Sequence, residues 1–326
     1  TRGRDKNPTD YDPGREPMTR RPTLLSPKHT TRFATWNVRT LFQTGRTKQA
    51  TTEMKRLKVP ILGVSETRWL GSGKIQLQGG ETMVYSGFPE NHSTHEKGVG
   101  IIMAKEIANT LLEWEPVSER IITARFESKC QNITIIQVYA PTNDAREEDK
   151  EIFYRQLQAA LEHTKKRDIK IIMGDLNAKV GRSNNDYEAI IGSHGVGEMN
   201  ANGELLADFC AINDFVIGGT LFPHKEAHKV TWRSPERTTE NQIDHFLISR
   251  RWRSTIQDCR VLRSADIGSD HHLLTARLKI RLSAKKKRPN TLTKKFNFRK
   301  LKDCATKTEF KPTLANRFDT LMHGSD

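Results

Sequence analysis

The stretch Ile169–Gly181, IKIIMGDLNAKVG, is the most informative part of the sequence. Its apolar run, Ile169–Met173, has the length and composition of a buried strand in a parallel or mixed sheet. The run ends at Gly174, and Asp175 and Asn177 follow two positions apart, so their side chains point the same way in extended backbone. A carboxylate and a carboxamide thus converge just past a buried strand, where open α/β sheets bind ligands. A polar turn would explain the same residues, because Gly, Asp and Asn are common turn residues.

Other apolar runs along the chain also have the character of strands, and amphipathic stretches between them predict helices. A helix is predicted over Thr44–Lys58, and a second is predicted to open with a capping box at Asp144 and Glu147 and to run to about Lys166. The other main predicted strands are Arg32–Val38, Ile61–Ser65, Gly98–Ala104, Ile121–Glu127, Ile133–Tyr139, Gln242–Ile248 and Leu273–Ile280. Several strands follow one another without a helix between them, so the pattern predicts an α/β protein with mixed sheets.

The positive charge of the chain is concentrated in its tails. The net charge is +15, and residues 1–32 hold 8 Lys/Arg against 4 Asp/Glu, whereas residues 277–326 hold 15 against 4. The intervening residues sum to zero. Basic tails on a neutral core suit a chain that is attracted to a polyanion. Solvated, disordered tails are the alternative, and we favour it for the first 32 residues.

Composition also excludes some classes of protein. No apolar run approaches the roughly 20 residues that a membrane-spanning helix needs. The four cysteines, which are widely spaced and include no C-x-x-C pair, predict free thiols and no zinc site.

Polar side chains recur where the predicted strands end. They are Asn37, Glu66, Tyr139, Asp175, Asn177, Asp244, Asp270 and His271. Each has an ordinary structural explanation in isolation, such as a solvated loop acid or a core aromatic. Their recurrence at strand ends indicates one shared pocket.

The same residues, in this order, resemble the motifs of the endonuclease/exonuclease/phosphatase superfamily. The matching motifs are TWN (Asn37), SET (Glu66), YAP (Tyr139), GDLN (Asp175, Asn177), IDH (Asp244) and SDH (Ser269, Asp270, His271). The resemblance runs from about Arg32 to Ile280 and implies a four-layer α/β sandwich, in which two packed mixed β-sheets are flanked by helices, as in deoxyribonuclease I. The sequence between the motifs, such as TWRSPERTTENQIDHFLIS, is similar to that of endonuclease domains of RTE-clade non-LTR (LINE-type) retrotransposons and of craniofacial development protein 2-like proteins.

The resemblance divides the chain into three parts. Residues 1–31 are expected to be a disordered basic tail, and residues 32–280 are expected to be the endonuclease/exonuclease/phosphatase domain. Residues 281–326 are expected to be a basic linker of the kind that leads into a reverse transcriptase, with no polymerase following in this chain.

The resemblance also implies roles for the site residues. Glu66 is the first choice as ligand of Mg²⁺, for which Mn²⁺ can substitute, with Asn37 and Asp270 close by. Asp175 is expected to orient and deprotonate the attacking water, and Asn177 to fix water or phosphate. His271, held by Asp244, is expected to donate to a phosphate oxygen, and Tyr139 to bind the phosphate or the leaving group. Both Asp175 and His271 remain candidates for the general base at this stage.

Four further residues are candidates for contact with DNA: Arg39, Arg68, Trp232 and Ser269. Abasic-site endonucleases commonly carry an acid where this chain has Arg39, which argues against a strict abasic-site activity and favours a phosphate contact. Trp232 is a candidate for stacking near DNA, and a core position on a strand explains it equally well.

The resemblance therefore implies a Mg²⁺-dependent endonuclease that nicks double-stranded DNA to leave a 3′ hydroxyl, derived from a retrotransposon. The alternatives are a phosphoesterase of the same fold acting on a phosphoinositide, lipid or RNA, and a catalytically silent DNA- or chromatin-binding protein. The basic run at 284–289, AKKKRP, is typical of either a linker or a nuclear-import signal. The expected location is the nucleus, with the cytoplasm as an additional location.

Overall fold

The computed structural model describes residues 24–281, 302–309 and 311–312. Its contacts group the chain into two units, Thr1–Arg281 and Leu282–Asp326, and the fold below is that of the first. The predicted N-terminal tail up to residue 23 and most of the predicted C-terminal linker lie outside the described residues. Within the described residues, no helix has the length and apolar character needed to cross a bilayer.

The described part of the first unit contains three α-helices and 15 strands, with short 3₁₀ turns between some of them. The helices are α1 (Arg46–Arg56), α2 (Glu147–His163) and α3 (Ala201–Asn213). The strands are β1 (Thr31–Asn37), β2 (Ile61–Ser65), β3 (Ser72–Gln76), β4 (Thr82–Ser86), β5 (Val99–Met103), β6 (Leu111–Ser118), β7 (Ile121–Phe126), β8 (Ile133–Tyr139), β9 (Ile169–Asp175), β10 (Phe215–Ile217), β11 (Trp232–Arg233), β12 (Glu240–Asn241), β13 (Asp244–Ser249), β14 (Ile256–Leu262) and β15 (Leu273–Leu278).

These strands form two large mixed sheets and one short ribbon. The first sheet has seven strands in the order β14-β15-β1-β2-β5-β4-β3, and the second has six in the order β10-β13-β9-β8-β7-β6. The ribbon pairs β11 with β12. Each large sheet has one parallel pair, β1 with β2 and β8 with β9, while its other pairs are antiparallel. The sequence prediction of mixed sheets is confirmed.

Strand register brings the predicted site residues into line. On the second sheet Asp175 lies beside Tyr139 in the parallel pair and beside Asp244 in the antiparallel pair. On the first sheet Asn37 lies beside Ser65, the residue that precedes Glu66. The polar residues at strand ends therefore meet at one edge of each sheet.

The two sheets pack face to face and helices cover their outer faces. Phe33 of the first sheet and Phe246 of the second meet with ring centroids 6.4 Å apart, inside a buried core to which both sheets contribute. Met54 of α1 packs with residues of the first sheet, and Phe153 of α2 and Leu206 of α3 pack with residues of the second. The order of layers is helix, sheet, sheet, helices, which confirms the four-layer sandwich.

A buried polar bridge joins the sheets beneath the predicted site. Gln137 Nε2 donates to Ser65 Oγ at 3.0 Å and to Thr35 Oγ1 at 3.2 Å. Ser65 Oγ donates in turn to the Val138 carbonyl at 3.0 Å. Sliding one sheet over the other would break these hydrogen bonds and leave buried polar groups unpaired, which is costly. The bridge therefore favours the observed alignment of the two sheets.

Three local predictions differ from the structure. The predicted capping box at Asp144 is wrong, since α2 begins at Glu147 after Arg146, whose side chain makes no capping bond. Strand β6 was not predicted, because four of its eight residues are exposed and four only partly buried, and because it includes Pro116. The predicted tail is too long at its end, because Leu24 and Leu25 are buried in the core between the sheets.

Candidate active site

The site loops have an unusual backbone. Nine described non-glycine residues have positive φ, and four of them belong to the predicted site: Arg39 (57°), Glu66 (57°), Arg68 (58°) and Asn177 (48°). This left-handed conformation is uncommon for residues with a Cβ and collects at functional sites. The strands β1, β2 and β9 thus end in tight turns that hold polar side chains at the edge of the sandwich.

Asn37 links an acid from each sheet. Its amide nitrogen donates to Glu66 Oε1 at 2.8 Å and to Asp175 Oδ2 at 2.9 Å. Its amide oxygen accepts from the backbone N–H of Arg39 at 3.0 Å, which fixes the orientation of the amide. The amide oxygen, the atom that would coordinate a hard cation, is turned to the backbone, and the predicted metal-ligand role of Asn37 stays a prediction.

His271 lies between two buried carboxylates. Its Nδ1 lies 2.9 Å from Asp244 Oδ2, and its Nε2 lies 3.8 Å from Asp175 Oδ2. The three side chains are almost fully buried. The predicted pairing of His271 with Asp244 is present, and it leaves Nε2 facing the acid that Asn37 holds.

Backbone contacts fix the position of His271. Its carbonyl accepts from the indole N–H of Trp36 at 2.9 Å, and its N–H donates to Ser269 Oγ at 3.1 Å. Ser269 Oγ donates to the Asn37 carbonyl at 2.7 Å. The hydroxyl of Ser269 therefore ties the loop before β15 to the end of β1, and its predicted role as a DNA contact stays a prediction.

Burial and neighbouring charges shift the pKa values of Asp175 and His271, the two central groups of the site. Burial, together with the negative charge of Asp244, raises the pKa of Asp175 to about 7, against the opposing effect of His271 and the Asn37 hydrogen bond. Burial lowers the pKa of His271, but Asp244, Asp175 and Asp270 outweigh it and raise that pKa to about 9. Near neutral pH the imidazole is therefore charged, and Asp175 titrates close to neutrality.

Tyr139 and Asn177 complete the second sheet's side of the site. Burial and the charges of Glu66 and Asp175 raise the pKa of the Tyr139 phenol, so its hydroxyl stays protonated. The guanidinium carbon of Arg120 lies 5.1 Å from the centre of the Tyr139 ring. Asn177 donates from its backbone to Asp175 Oδ1 at 3.0 Å and from its side chain to the Ala140 carbonyl at 2.9 Å.

Asp270 and its partners lie on the first sheet's side. The Trp232 indole donates to Asp270 Oδ2 at 3.2 Å, which gives this half-buried tryptophan a defined partner. Asp270 Oδ1 has no hydrogen-bond donor and lies 3.7 Å from Arg39 Nε. Arg68 lies 3.5 Å from Glu66 Oε2. Both arginines therefore stand beside the acids of the site.

Two groups of side chains could hold a divalent ion. Asp175, Asp244 and His271 offer ligand atoms within 4.8 Å of one another, the group of this kind found among the described residues. In this group His271 Nδ1 already bonds Asp244 Oδ2 at 2.9 Å, while Asp244 Oδ1 has no hydrogen-bond partner. Glu66 and Asp270 supply carboxylate oxygens, the donors that Mg²⁺ and Ca²⁺ prefer, and Asp270 Oδ1 lacks a donor. The donor chemistry of the second group fits a hard cation.

Three contributors to the site were missed by sequence reasoning. Trp36 precedes Asn37 and was read only as part of the strand, Arg120 lies in a turn far along the chain, and Thr231 accepts from the backbone N–H of Asp244 at 3.0 Å. The TWN motif could have indicated Trp36. Arg120 and Thr231 act through a guanidinium and a hydroxyl that the fold brings in from distant parts of the chain, and no motif in the sequence marks them.

Known proteins resemble this chain in sequence and in fold. Residues 34–271 match the model of the Endonuclease/Exonuclease/phosphatase family. Craniofacial development protein 2 of Bos taurus is 38% identical over 263 residues, which cover 80% of this chain and 43% of that protein. The protein of the same name from Tragulus javanicus is 39% identical over 259 residues, 79% of this chain and 44% of that protein. The chain thus spans less than half the length of these curated relatives.

Solved structures share the fold at low identity. The endonuclease domain of TRAS1, a telomere-specific non-LTR retrotransposon, has a TM-score of 0.53 at 15% identity over 77% of this chain and 99% of that domain. A variant of the 3′ phosphatase NExo from Neisseria, bound to a product DNA hairpin, has a TM-score of 0.55 at 18% identity over 77% of this chain and all of that one (100%). The AP endonuclease LMAP from Leishmania major has a TM-score of 0.56 at 16% identity, with 79% and 90% covered. From the family match, the identity to its relatives and the shared fold, the chain belongs to the Endonuclease/Exonuclease/phosphatase family.

Proposed function

We propose that this chain is a divalent-metal-dependent DNA endonuclease that nicks one strand and leaves a 3′ hydroxyl. The observation that carries the proposal is the continuous set of contacts Glu66–Asn37–Asp175–His271–Asp244, which crosses from one sheet to the other. It combines the partly buried carboxylate of Glu66, a protonated imidazole and an acid that titrates near neutrality. Hydrolysis of a phosphodiester requires charge neutralisation, a proton acceptor and a donor to phosphate, and this set supplies all three.

The roles of Asp175 and His271 follow from their surroundings. An imidazole whose pKa is raised to about 9 carries its proton near pH 7, so His271 serves as a donor to a non-bridging phosphate oxygen. Asp175, with a pKa raised to about 7, is the better acceptor for a proton from the attacking water. Of the two candidates that the sequence left open, we therefore propose Asp175 as the general base.

The remaining residues bind and orient. Asn37 holds Asp175 and Glu66 in place, and Asn177 braces Asp175 through its backbone N–H. Tyr139, with its proton retained, donates to the phosphate or the leaving oxygen. Arg39 and Arg68 provide positive charge for the DNA backbone.

Glu66 and Asp270 would hold the proposed Mg²⁺, with Mn²⁺ as a substitute. When bound, the ion would neutralise charge on the phosphate and the leaving oxygen. Its acid ligands agree with the oxygen donors that Mg²⁺ takes in proteins.

Double-stranded DNA is the proposed substrate, and a retrotransposon the proposed origin. Two observations on neighbours support this: TRAS1 is named as a retrotransposon endonuclease, and NExo was solved with product DNA. The proposed nuclear location is supported by the basic run at 284–289.

The test is the nicking of supercoiled plasmid by the full 326-residue chain with Mg²⁺, with Mn²⁺ and with EDTA. We expect open-circular product with either ion, none with EDTA, and 3′ hydroxyl ends that a polymerase extends. An Asp175→Asn variant serves as the control for contaminating nuclease. A panel of small phosphate esters and phosphoinositides runs in parallel.

Two outcomes would overturn the proposal. Hydrolysis of a small ester without nicking would make the chain a phosphoesterase of the same family. DNA binding without cleavage of any substrate under either ion would make it a silent binding protein.

A further inference from the structure

The loop between β1 and α1 displays an exposed aromatic side chain beside the site. The side chain of Phe42 is 61% exposed. Four large hydrophobic residues are exposed in the described part of the chain, and Phe42 is the aromatic one, beside Leu112, Ile152 and Ile212. Isolated exposed apolar side chains are common on protein surfaces, so the neighbours of Phe42, and not its exposure alone, indicate its role.

The loop that carries Phe42 is fixed in place. Leu41, the preceding residue, is 3% exposed, and its backbone N–H donates to the Thr67 carbonyl at 3.0 Å. The backbone N–H of Phe42 donates to Thr40 Oγ1 at 3.0 Å. Phe42 therefore projects outward from an anchored backbone.

A chain of contacts connects Phe42 to the acids of the site. Its ring centroid lies 4.5 Å from that of His95, and His95 Nδ1 lies 3.1 Å from the Arg68 carbonyl. Arg68 in turn lies 3.5 Å from Glu66. The Phe42–His95 pair is thus held against the loop after β2 that carries Glu66, the candidate metal ligand.

Positive charge flanks the pair. The side chains of Arg39 and Arg68 are 53% and 42% exposed. Cationic side chains that follow a phosphate backbone, interleaved with an aromatic face for a base, are how proteins bind unstacked nucleic acid. A protein partner would be expected to meet a larger apolar patch than one aromatic ring among cations.

We propose that Phe42, supported by His95, stacks on an unpaired or flipped base next to the phosphodiester that the site cleaves. The inference rests on the proposed DNA endonuclease function and adds a preference to it. In a paired duplex every base is already stacked, so engagement of Phe42 requires one base to leave the stack, and this is least costly where the duplex is bulged or mismatched.

The test measures binding in EDTA, so that it does not depend on cleavage. Two short duplexes of the same sequence are compared, one fully paired and one with a single bulged 2-aminopurine, by fluorescence anisotropy and by quenching of the 2-aminopurine. We expect the wild-type chain to bind the bulged duplex more tightly and to quench its fluorescence. Phe42→Ala should lose about 5- to 100-fold in affinity for the bulged duplex and little for the paired one, the range that base–aromatic stacking gives.

Matched variants make the result specific. Phe42→Tyr keeps the ring and should retain both affinity and quenching, and His95→Ala should lose part of each. Ile212→Ala removes an apolar side chain that is 80% exposed on α3, and it should bind both duplexes like wild type.

Three results would overturn the inference: equal binding of both duplexes by wild type, no effect of Phe42→Ala, or an equal effect of Ile212→Ala. The first two would leave the exposed ring to a protein partner. A chain that failed to nick plasmid but bound the bulged duplex through Phe42 would refute the proposed activity alone. A chain that nicked normally with no Phe42 dependence would refute this inference alone.

Discussion

Asp175 is the residue on which the proposed chemistry depends most. Its carboxylate is 2% exposed and accepts hydrogen bonds from the side chain of Asn37 and the backbone of Asn177. Asp175→Asn keeps the shape of the side chain but removes the proton acceptor. We expect plasmid nicking to slow by roughly 10²- to 10⁴-fold, the usual contribution of a general base.

Two further measurements make the Asp175 prediction specific. The circular dichroism spectrum and thermal midpoint of Asp175→Asn should stay close to those of wild type, which separates lost chemistry from lost folding. If Asp175→Asn nicked plasmid at the wild-type rate, Asp175 would not be the general base.

His271 makes the stability of the metal-free protein depend on pH. Its folded-state pKa of about 9 lies above its ordinary value of 6.5, so its contribution is complete below pH 6.5 and is lost as the pH rises through 9. The pKa of Asp175 is also raised, so the contribution of Asp175 to stability is lost at lower pH, as the pH rises towards 7. In EDTA we therefore expect the thermal midpoint to fall between pH 6.5 and 9.

The matched variants for this pH dependence are two histidine substitutions. His271→Gln should flatten the fall in the thermal midpoint above pH 6.5, because it removes the titrating group. His163→Gln, at an exposed position near the end of α2, should keep the wild-type profile. A profile that rose with pH would contradict the assigned direction of the His271 shift.

At the scale of single residues, the sequence predicted which side chains converge but not how they bond. Asn37, Glu66, Asp175, Asp244 and His271 do meet. That Asn37 turns its nitrogen to both acids depends on a backbone N–H at Arg39 in left-handed conformation, which no residue pattern reveals.

Strand β9 depends on a glycine immediately before Asp175. Gly174 has φ of 148°, and a Cβ there would lie 2.0 Å from the Val138 carbonyl oxygen of the neighbouring strand. Gly174→Ala must push β8 and β9 apart at the point where Asp175 is held. We expect a loss of about 2–4 kcal/mol in the free energy of unfolding by urea, together with reduced nicking.

Gly197 provides the control for that strand. Its φ is 70°, but a Cβ would meet nothing within 4 Å, so Gly197→Ala carries backbone strain without a collision. We expect it to cost about 1 kcal/mol. Equal destabilisation by the two variants would show that the contact with Val138 is unimportant.

At the scale of elements, the buried strands were predicted, whereas strand β6, which has no buried residue, was not. The strands Ile61–Ser65 and Ile133–Tyr139 were predicted at their observed bounds, because a short, mostly apolar run is typical of a buried strand. β6 escaped prediction since its register shifts against β7 interrupt the alternation on which strand patterns rely. The short Leu24–Leu25 anchor had no periodicity to indicate it.

The distribution of charge over the whole molecule predicts how it would respond to salt. Residues 281–326 hold 13 Lys/Arg against 4 Asp/Glu. Removal of residues 281–326 should weaken DNA binding and reduce the slope of log affinity against log salt, because fewer counterions are released. Titrations with duplex DNA at several salt concentrations measure both quantities.

An N-terminal truncation is the comparison for the tail. Removal of residues 1–23 deletes 6 Lys/Arg and 4 Asp/Glu, so its effect on the slope should be small. It also spares Leu24 and Leu25, which are buried in the core. Identical slopes for the full chain and the 281–326 deletion would show that the basic tail makes no phosphate contacts.

The pairing of β1 with β15 has a consequence for synthesis in the cell. The first strand of the sandwich acquires this neighbour only when the last strand has emerged from the ribosome, and His271 emerges just ahead of it. A nascent chain that still lacks these residues holds an incomplete pocket. The proposed nuclease would therefore be harmless while it is being translated, and would become able to cut only after release of nearly the whole domain.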